Sequence, residues 1–109
     1  MYKNKVSYKI SDIVVDILKN NLSYVNRTIG NYTITRDDTG DIIVKYYGST
    51  IFVYDNGENV ARFYLYGYSR STSCAITKIK HKLMRYEFEE NIPIEYIIHD
   101  TNGNIIENY

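Results

Sequence analysis

The fold is decided by residues 41–68, which read DIIVKYYGSTIFVYDNGENVARFYLYGY. Three runs rich in Ile, Val and Tyr favour β-strands, and they span 41–47, 50–54 and 60–68. Gly48-Ser49 and Asn56-Gly57 separate these runs, and both pairs are typical of two-residue hairpin turns. The stretch therefore predicts three consecutive antiparallel strands.

Upstream residues predict one further strand and a short helix. Partial alternation over 28–36 indicates the strand, and the sequence Asp37-Asp38-Thr39-Gly40 indicates a turn after it. Apolar residues at helical spacing and a suitable N-cap at Ser11 predict a helix over about 12–22; its apolar face comprises Ile13, Val14, Ile17 and Leu18. The preceding segment, 2–10, alternates like a short strand or an extended arm.

Downstream residues predict the main helix and a last hairpin. Residues 72–88 carry one apolar face at i, i+3/i+4 spacing, made of Ala75, Ile76, Ile79, Leu83 and Tyr86. The strands 94–99 and 104–108 flank a turn at Thr101-Asn102-Gly103. We therefore expect an α+β fold: an antiparallel β-meander sheet of four to six strands, covered by one main helix, with a short N-terminal helix. One face of the sheet would stay open.

Length and composition predict a single domain over residues 1–109. One cysteine allows no disulfide within the chain, and no apolar run follows the basic start, so we expect no signal peptide. The apolar stretches are too short to span a membrane. We therefore expect a protein of the cytoplasm, specifically that of a host cell for the reason given below, with no membrane partner.

The sequence offers little for catalysis. Cys74, His81 and His99 are the only thiol and imidazole groups, and a Cys74–His99 pair is the one nucleophilic arrangement to consider. No metal-ligand spacing and no glycine-rich phosphate loop occurs. We therefore expect a protein that is not an enzyme and that holds no metal or other cofactor.

The charge is unevenly distributed although its sum is zero. Residues 62–85 carry six basic and no acidic side chains, whereas residues 87–109 carry six acidic and no Lys or Arg side chains. Folding either brings these regions together, so that they neutralise each other, or separates them and makes the molecule dipolar. The sequence leaves both outcomes open.

The strand 60–68 carries the first candidate binding surface. Because successive side chains of a strand point to opposite faces, one face collects an arginine and three tyrosines, which are Arg62, Tyr64, Tyr66 and Tyr68. Such a row can stack on bases or contact a protein partner. The alternative is cross-strand aromatic packing with a purely structural role.

The main helix carries two further candidate sites. Arg70 lies among hydroxyl residues at the helix start, where an anion can bind, or where the hydroxyls simply cap the helix. Lys78, Lys82 and Arg85 form a ridge at i, i+4 and i+7 that is expected to face solvent. The ridge would follow a phosphate backbone, dock on an acidic protein, or be an ordinary solvated face.

Two stretches resemble a family of bacteriophage and mobile-element proteins: YGSTI at 47–51, and YLYGYSRSTS at 64–73 leading into Ile76, Ile79 and Leu83. The family pattern is a short hairpin, a Gly-aromatic-x-Ser/Thr-x-Ser/Thr motif, a helix and a terminal hairpin. The resemblance covers about residues 41–108. It implies a fold outline and a phage habitat, but it assigns no activity and no functional residue.

Small phage proteins often bind and block a host machine, and anti-CRISPR proteins are the best-known class of that kind. The resemblance thus implies an inhibitor that binds a host protein or nucleoprotein complex, such as a defence nuclease. One alternative is a small nucleic-acid-binding accessory protein that uses the basic helix and the tyrosine face. The other is a phage structural or assembly subunit, which would form an oligomer through an exposed sheet edge.

Overall fold

The computed structural model describes residues 5–64, 70–100 and 102–108. The expected α+β class, with an antiparallel sheet, a main helix and an N-terminal helix, is confirmed. In chain order the elements are α1 (Lys5–Lys19), β1 (Val25–Ile29), β2 (Tyr32–Arg36), β3 (Ile42–Tyr46), β4 (Ser49–Asp55), β5 (Val60–Tyr64), α2 (Arg70–Glu90), β6 (Glu95–His99) and β7 (Ile105–Asn108).

The seven strands form one sheet in the order of the sequence. Strands β1 to β5 are a continuous antiparallel meander, and β6 and β7 form a terminal antiparallel hairpin. Helix α2 connects β5 to β6 as a crossover, so these two neighbouring strands pair in parallel. A helix of this length spans roughly 30 Å, which returns the chain to the end of the sheet where β5 began.

Both helices pack against one face of the sheet and against each other. The fully buried apolar residues are Ile10, Val14 and Ile17 in α1 and Ala75, Ile79 and Leu83 in α2. The strands supply alternate residues to the same core, including Ile34, Val44, Phe52 and Phe63. The predicted apolar stripe of the main helix is therefore confirmed as the surface that covers the sheet.

The N-terminal prediction was wrong about where α1 begins. The segment 2–10 was expected to be a strand or an arm, but its described residues, 5–10, are helical, and α1 ends at Lys19 instead of residue 22. Ser11 lies inside the helix and is buried instead of capping it. Ile10 extends the stripe of Val14 and Ile17 by one turn, and burial of this longer stripe favours the helix over the local alternation.

The sequence-based prediction was wrong about the residues that form two of the hairpin turns. The β3–β4 turn is Tyr47-Gly48, both with positive φ, instead of Gly48-Ser49. The β4–β5 connection is four residues long, and Asn59 takes the positive φ, not Asn56 or Gly57. Here the Asp55 carboxylate accepts hydrogen bonds from two backbone N–H groups of the turn, which favours a side-chain-capped turn over a two-residue one.

The number of strands also differs from the expectation, and the main helix begins at Arg70 and ends at Glu90 instead of spanning 72–88. The segment 28–36 holds the end of β1 and all of β2 instead of one strand, and the turn between them contains Gly30, whose φ is 58°. The strand expected over 60–68 is confirmed as β5 as far as Tyr64, and its remaining residues, 65–68, lie outside the described residues. The sheet therefore has seven strands rather than four to six.

A buried arginine joins the helix layer to the turns. Arg36 is 4% exposed. Its guanidinium donates to the carbonyl oxygens of Ile17, Leu22 and Gly40 and to Oδ1 of Asn56. It adds a second hydrogen bond to the Ile17 carbonyl oxygen, which also accepts from the Leu22 N–H, and it reaches the Leu22 carbonyl oxygen just beyond α1.

Neither α1 nor α2 combines the length and the apolar character that a membrane-crossing helix requires.

Candidate interaction surface

The sheet face opposite the helices carries the described part of the predicted tyrosine row. Strand pairing aligns one residue from each of five neighbouring strands across this face, which are Thr35, Ile43, Val53, Arg62 and Ile97. Tyr64 lies in the adjacent row beside His99. The expectation that Arg62 and Tyr64 point away from the core is therefore consistent with the register.

His99 organises the polar centre of this face. Its Nε2 lies 3.1 Å from Nη1 of Arg62, and its Nδ1 lies 3.0 Å from the carbonyl oxygen of Gly103. A guanidinium can only donate and a carbonyl can only accept. The arrangement thus requires a neutral imidazole with the proton on Nδ1, and this imidazole holds the Arg62 guanidinium in place.

The Tyr64 ring stacks on a face of the same imidazole. The ring centroids are 4.6 Å apart and the planes are inclined by 8°. Arg62 and Tyr64 are half-buried, and His99 is 6% exposed. The three side chains form a fixed cluster instead of three independent surface groups.

Apolar side chains adjoin this cluster. Ile43 and Val53 are half-buried on the same face and lie next to each other across β3 and β4. We call Ile43, Val53, Arg62 and Tyr64 the sheet-face patch. An apolar centre with an arginine and an aromatic residue is the composition typical of a protein interface.

The remaining members of the predicted row lie outside the described residues or side chains. Tyr66 and Tyr68 fall in the gap between residues 64 and 70, and of Arg70 only its place as the first residue of α2 is described. The anion site expected at the helix start falls in the same region.

The basic ridge lies in the helix layer, on the other side of the sheet from the patch. Lys82 Nζ lies 3.0 Å from Asp12 Oδ1, and Arg85 Nε lies 3.5 Å from Glu89 Oε2. Glu89 also pairs with Lys19 at 3.7 Å. Lys82 and Arg85 line a groove between α1 and α2 of about 450 Å³.

The ridge is therefore bordered by acidic groups from α1 and from its own helix. Lys78, its third member, is half-buried. Sequence reasoning missed the contribution of α1, because the basic stretch 62–85 contains no acid of its own. The structure also places the ridge and the sheet-face patch where one flat ligand cannot contact both.

Cys74 and His99 do not form a pair. Cys74 is on α2, which packs on one face of the sheet, whereas His99 lies on the opposite face. Cys74 is also the fifth residue of α2, beyond its first turn. Among the described residues no three His, Cys, Asp or Glu side chains are grouped as metal ligands would be.

His99 is the residue of this site that sequence reasoning undervalued. The alternation of β6 places Tyr96 in the core and Ile97 and His99 on the other face. The alternation of β6 in the sequence predicts on which face His99 lies. It does not predict that Tyr64 is the neighbour of His99, because the parallel pairing of β5 with β6 joins residues that are 35 positions apart.

Comparison of this chain with protein-family models, with curated proteins and with solved structures finds no match in any of the three.

Proposed function

We propose that this chain is a binding protein that inhibits a protein machine of a host cell, such as a nuclease of a CRISPR or another defence system. The observation that carries the proposal is the sheet-face patch. This patch has an apolar centre, an arginine that contacts His99 and a tyrosine that stacks on His99. Because these side chains are already fixed, they lose little conformational entropy when a partner binds. The phage context comes from the sequence resemblance alone.

The proposal is tested by capture followed by an activity assay. The purified protein is immobilised, bacterial lysate is passed over it, and retained proteins are quantified by mass spectrometry. The captured protein is then purified and its activity is measured with and without this chain. We expect a partner that Tyr64→Ala and Val53→Lys lose and that the unaltered protein inhibits.

A matched variant controls for general stickiness. Tyr24 is 72% exposed and lies outside the patch, so Tyr24→Ala makes the same chemical change at another site. Circular dichroism and thermal melting verify that each variant is folded. Capture that survives both patch substitutions, or a captured partner whose activity is unchanged, would overturn the proposal.

The nucleic-acid alternative has less support from the geometry. Two members of its basic ridge, Lys82 and Arg85, already have carboxylate partners, and phosphate would have to compete with them. Fluorescence anisotropy with random single- and double-stranded nucleic acid, at several salt concentrations, tests this alternative. Binding that weakens by about 0.9 log units per log unit of salt for each neutralised duplex phosphate would restore it.

The assembly alternative is favoured by one edge of the sheet. Strand β7 is an edge strand, and its Ile105 and Ile106 are 57% and 52% exposed. Exposed apolar edge strands tend to pair with further chains. Light scattering over a range of protein concentrations tests it: a mass that rises with concentration and falls on Ile106→Lys supports assembly.

A further inference from the structure

Two turns of the sheet contain an asparagine followed by a glycine, at Asn56-Gly57 and at Asn102-Gly103. Asparagine is a chemically labile residue. Its side chain is attacked most easily when glycine follows, because a glycine has no side chain to hinder its own backbone nitrogen. Every other asparagine of the chain precedes a larger residue. Deamidation therefore has two candidate positions, and the fold distinguishes them.

The reaction takes two steps. The backbone nitrogen of the glycine loses its proton to solvent and bonds to Cγ of the asparagine, and Nδ2 takes up a proton and leaves as ammonia. Water then opens the cyclic succinimide. Cleavage of the bond to Cγ gives aspartate. Cleavage of the bond to the main-chain carbonyl carbon gives isoaspartate, whose backbone runs through Cβ and Cγ and is one methylene longer.

Hydrogen bonds and a close contact hold Asn56 in place. Its Oδ1 accepts from the Arg36 guanidinium at 3.3 Å, and its N–H donates to the Asp41 carboxylate at 3.1 Å. Gly40 lies so near that an added Cβ would be 2.9 Å from Nδ2 of Asn56. Cγ must approach the Gly57 nitrogen to bonding distance, and these contacts resist that movement.

The side chain of Asn102 lacks such restraint. It is exposed, and it forms no hydrogen bond with the described residues. Its turn is held through the backbone instead, because the Asn102 N–H donates to Oδ1 of Asp100 at 2.9 Å. The glycine nitrogen donates one hydrogen bond of 3.0 Å in both turns, so only the asparagine side chains differ in freedom.

We propose that Asn102 is the deamidation site of the folded chain and that isoaspartate formed there breaks the hydrogen bond between His99 and Gly103. In this bond Nδ1 of His99 donates to the Gly103 carbonyl oxygen at 3.0 Å. The extra methylene enters the backbone directly before Gly103 and displaces its carbonyl group, and a hydrogen bond weakens steeply with distance and angle. A slow reaction in the turn thus changes the polar centre of the open sheet face.

Both parts of the proposal concern the chain alone and are independent of the proposed function. Only one consequence rests on that function: the isoaspartyl form would bind a partner less well, because His99 positions Arg62 and Tyr64 of the sheet-face patch. The tests of the proposal therefore use no partner, and their failure leaves the proposed function standing.

The first test compares the two asparagines in one sample. The folded protein is incubated in mildly alkaline buffer and digested, and the peptides that carry each asparagine are quantified by mass spectrometry. We expect Asn102 to convert at least about tenfold faster than Asn56, the factor that loss of a hydrogen bond to a charged group imposes. In guanidinium chloride, which removes these restraints, the two rates should be similar. Equal rates in the folded protein, or conversion of Asn102 only after unfolding, would overturn the proposal.

The second test follows the His99 imidazole by nitrogen-15 NMR in the isoaspartyl form, separated by chromatography. We expect the Nδ1 resonance to shift as its hydrogen bond is lost. Asn102→Asp adds the charge to an unaltered backbone and should keep the bond, and Asn102→Gln, whose longer side chain forms the ring far more slowly, should keep it through the same incubation. An unchanged Nδ1 resonance in the isoaspartyl form would show that the turn and His99 are not connected as proposed.

Discussion

The Tyr64 ring lies flat against the His99 imidazole, with centroids 4.6 Å apart and 8° between the ring planes. The two residues are direct neighbours on the parallel strands β5 and β6. Arg62, two residues earlier on the same strand, reaches the Nε2 of that imidazole. The only parallel strand pair among the described strands therefore builds the polar centre of the face that the helices leave open.

The hydrogen bonds of His99 predict which ring nitrogen carries the proton. Because Nδ1 donates to the Gly103 carbonyl and Nε2 accepts from Arg62, the Nδ1–H tautomer is expected. Nitrogen-15 NMR of the imidazole distinguishes the two neutral tautomers. Arg62→Met should shift the Nε2 resonance and leave the proton on Nδ1. Observation of the Nε2–H tautomer in the unaltered protein would show that the cluster is arranged differently.

Removal of Arg36 is expected to destabilise the fold strongly. Arg36→Met removes four hydrogen bonds, one of them buried and three part-buried, and a buried group left unpaired costs about 1–3 kcal/mol. We expect the free energy of unfolding, measured with urea, to fall by about 3 kcal/mol. Arg36→Lys should recover only part of this, because an ammonium group lacks the fork that reaches several acceptors.

Arg85→Met is the matched control for Arg36→Met. The Arg85 side chain is 75% exposed, so its loss should change the free energy of unfolding by no more than about 0.5 kcal/mol. If both variants lose the same amount, the hydrogen bonds of Arg36 do not stabilise the fold as described.

A comparison of two glycines with nearly equal positive φ separates the cost of steric contact from the cost of positive φ. Gly40 and Gly103 have φ values of 87° and 86°. A Cβ added at Gly40 would lie 2.9 Å from Asn56 Nδ2, whereas one added at Gly103 meets nothing within 4 Å. Asn56 cannot move without weakening its bond from Arg36.

We therefore expect Gly40→Ala to destabilise more than Gly103→Ala. Strain at positive φ costs of the order of 1 kcal/mol at either position, and contact with Asn56 adds about 1 kcal/mol more at position 40. Urea unfolding of the two variants measures the difference. Equal losses would mean that Asn56 yields at no cost.

Buried tyrosines predict a loss of stability at alkaline pH. Burial raises the pKa of Tyr54 to about 12, and burial, with Tyr46 nearby, raises that of Tyr32 to about 12. Burial and the hydrogen bond to Glu87 raise the pKa of Tyr96 further. In the unfolded chain each would ionise near a pKa of about 10.

The sign follows from proton linkage. Above pH 10 or so the unfolded chain releases these protons while the folded chain retains them, so the free energy of unfolding falls as pH rises. The contribution is fully present below about pH 10 and is lost by about pH 12. Urea unfolding from about pH 8 to pH 11 should show the decline, and Tyr54→Phe should make it shallower. A flat profile over this range would contradict the prediction.

Residues whose role depends on near neighbours were predictable from the sequence. The apolar stripe of α2 and the alternation of β5 were both confirmed, because each follows from a single period that burial must satisfy. The turn at Gly40 was also predicted, since a positive φ favours glycine locally. The positions of Tyr66 and Tyr68, outside the described residues, stay predictions.

Predictions from local periodicity were wrong where a contact with a distant part of the chain decided the structure. Ser11 reads as an N-cap, but Ile10 is buried in the core and carries the helix past it. Likewise Lys82 reads as part of an exposed ridge, but folding brings Asp12 to within 3.0 Å of its Nζ.

The sequence by itself determined the α+β class, the antiparallel meander and the covering face of the main helix, because these depend on spacings within one element. Only the tertiary structure decided the parallel pairing of β5 with β6, the hydrogen bonds of Arg36 and the cluster of Arg62, Tyr64 and His99. Each of these joins residues far apart in the chain. Their meeting depends on how the whole core packs, which no local pattern encodes.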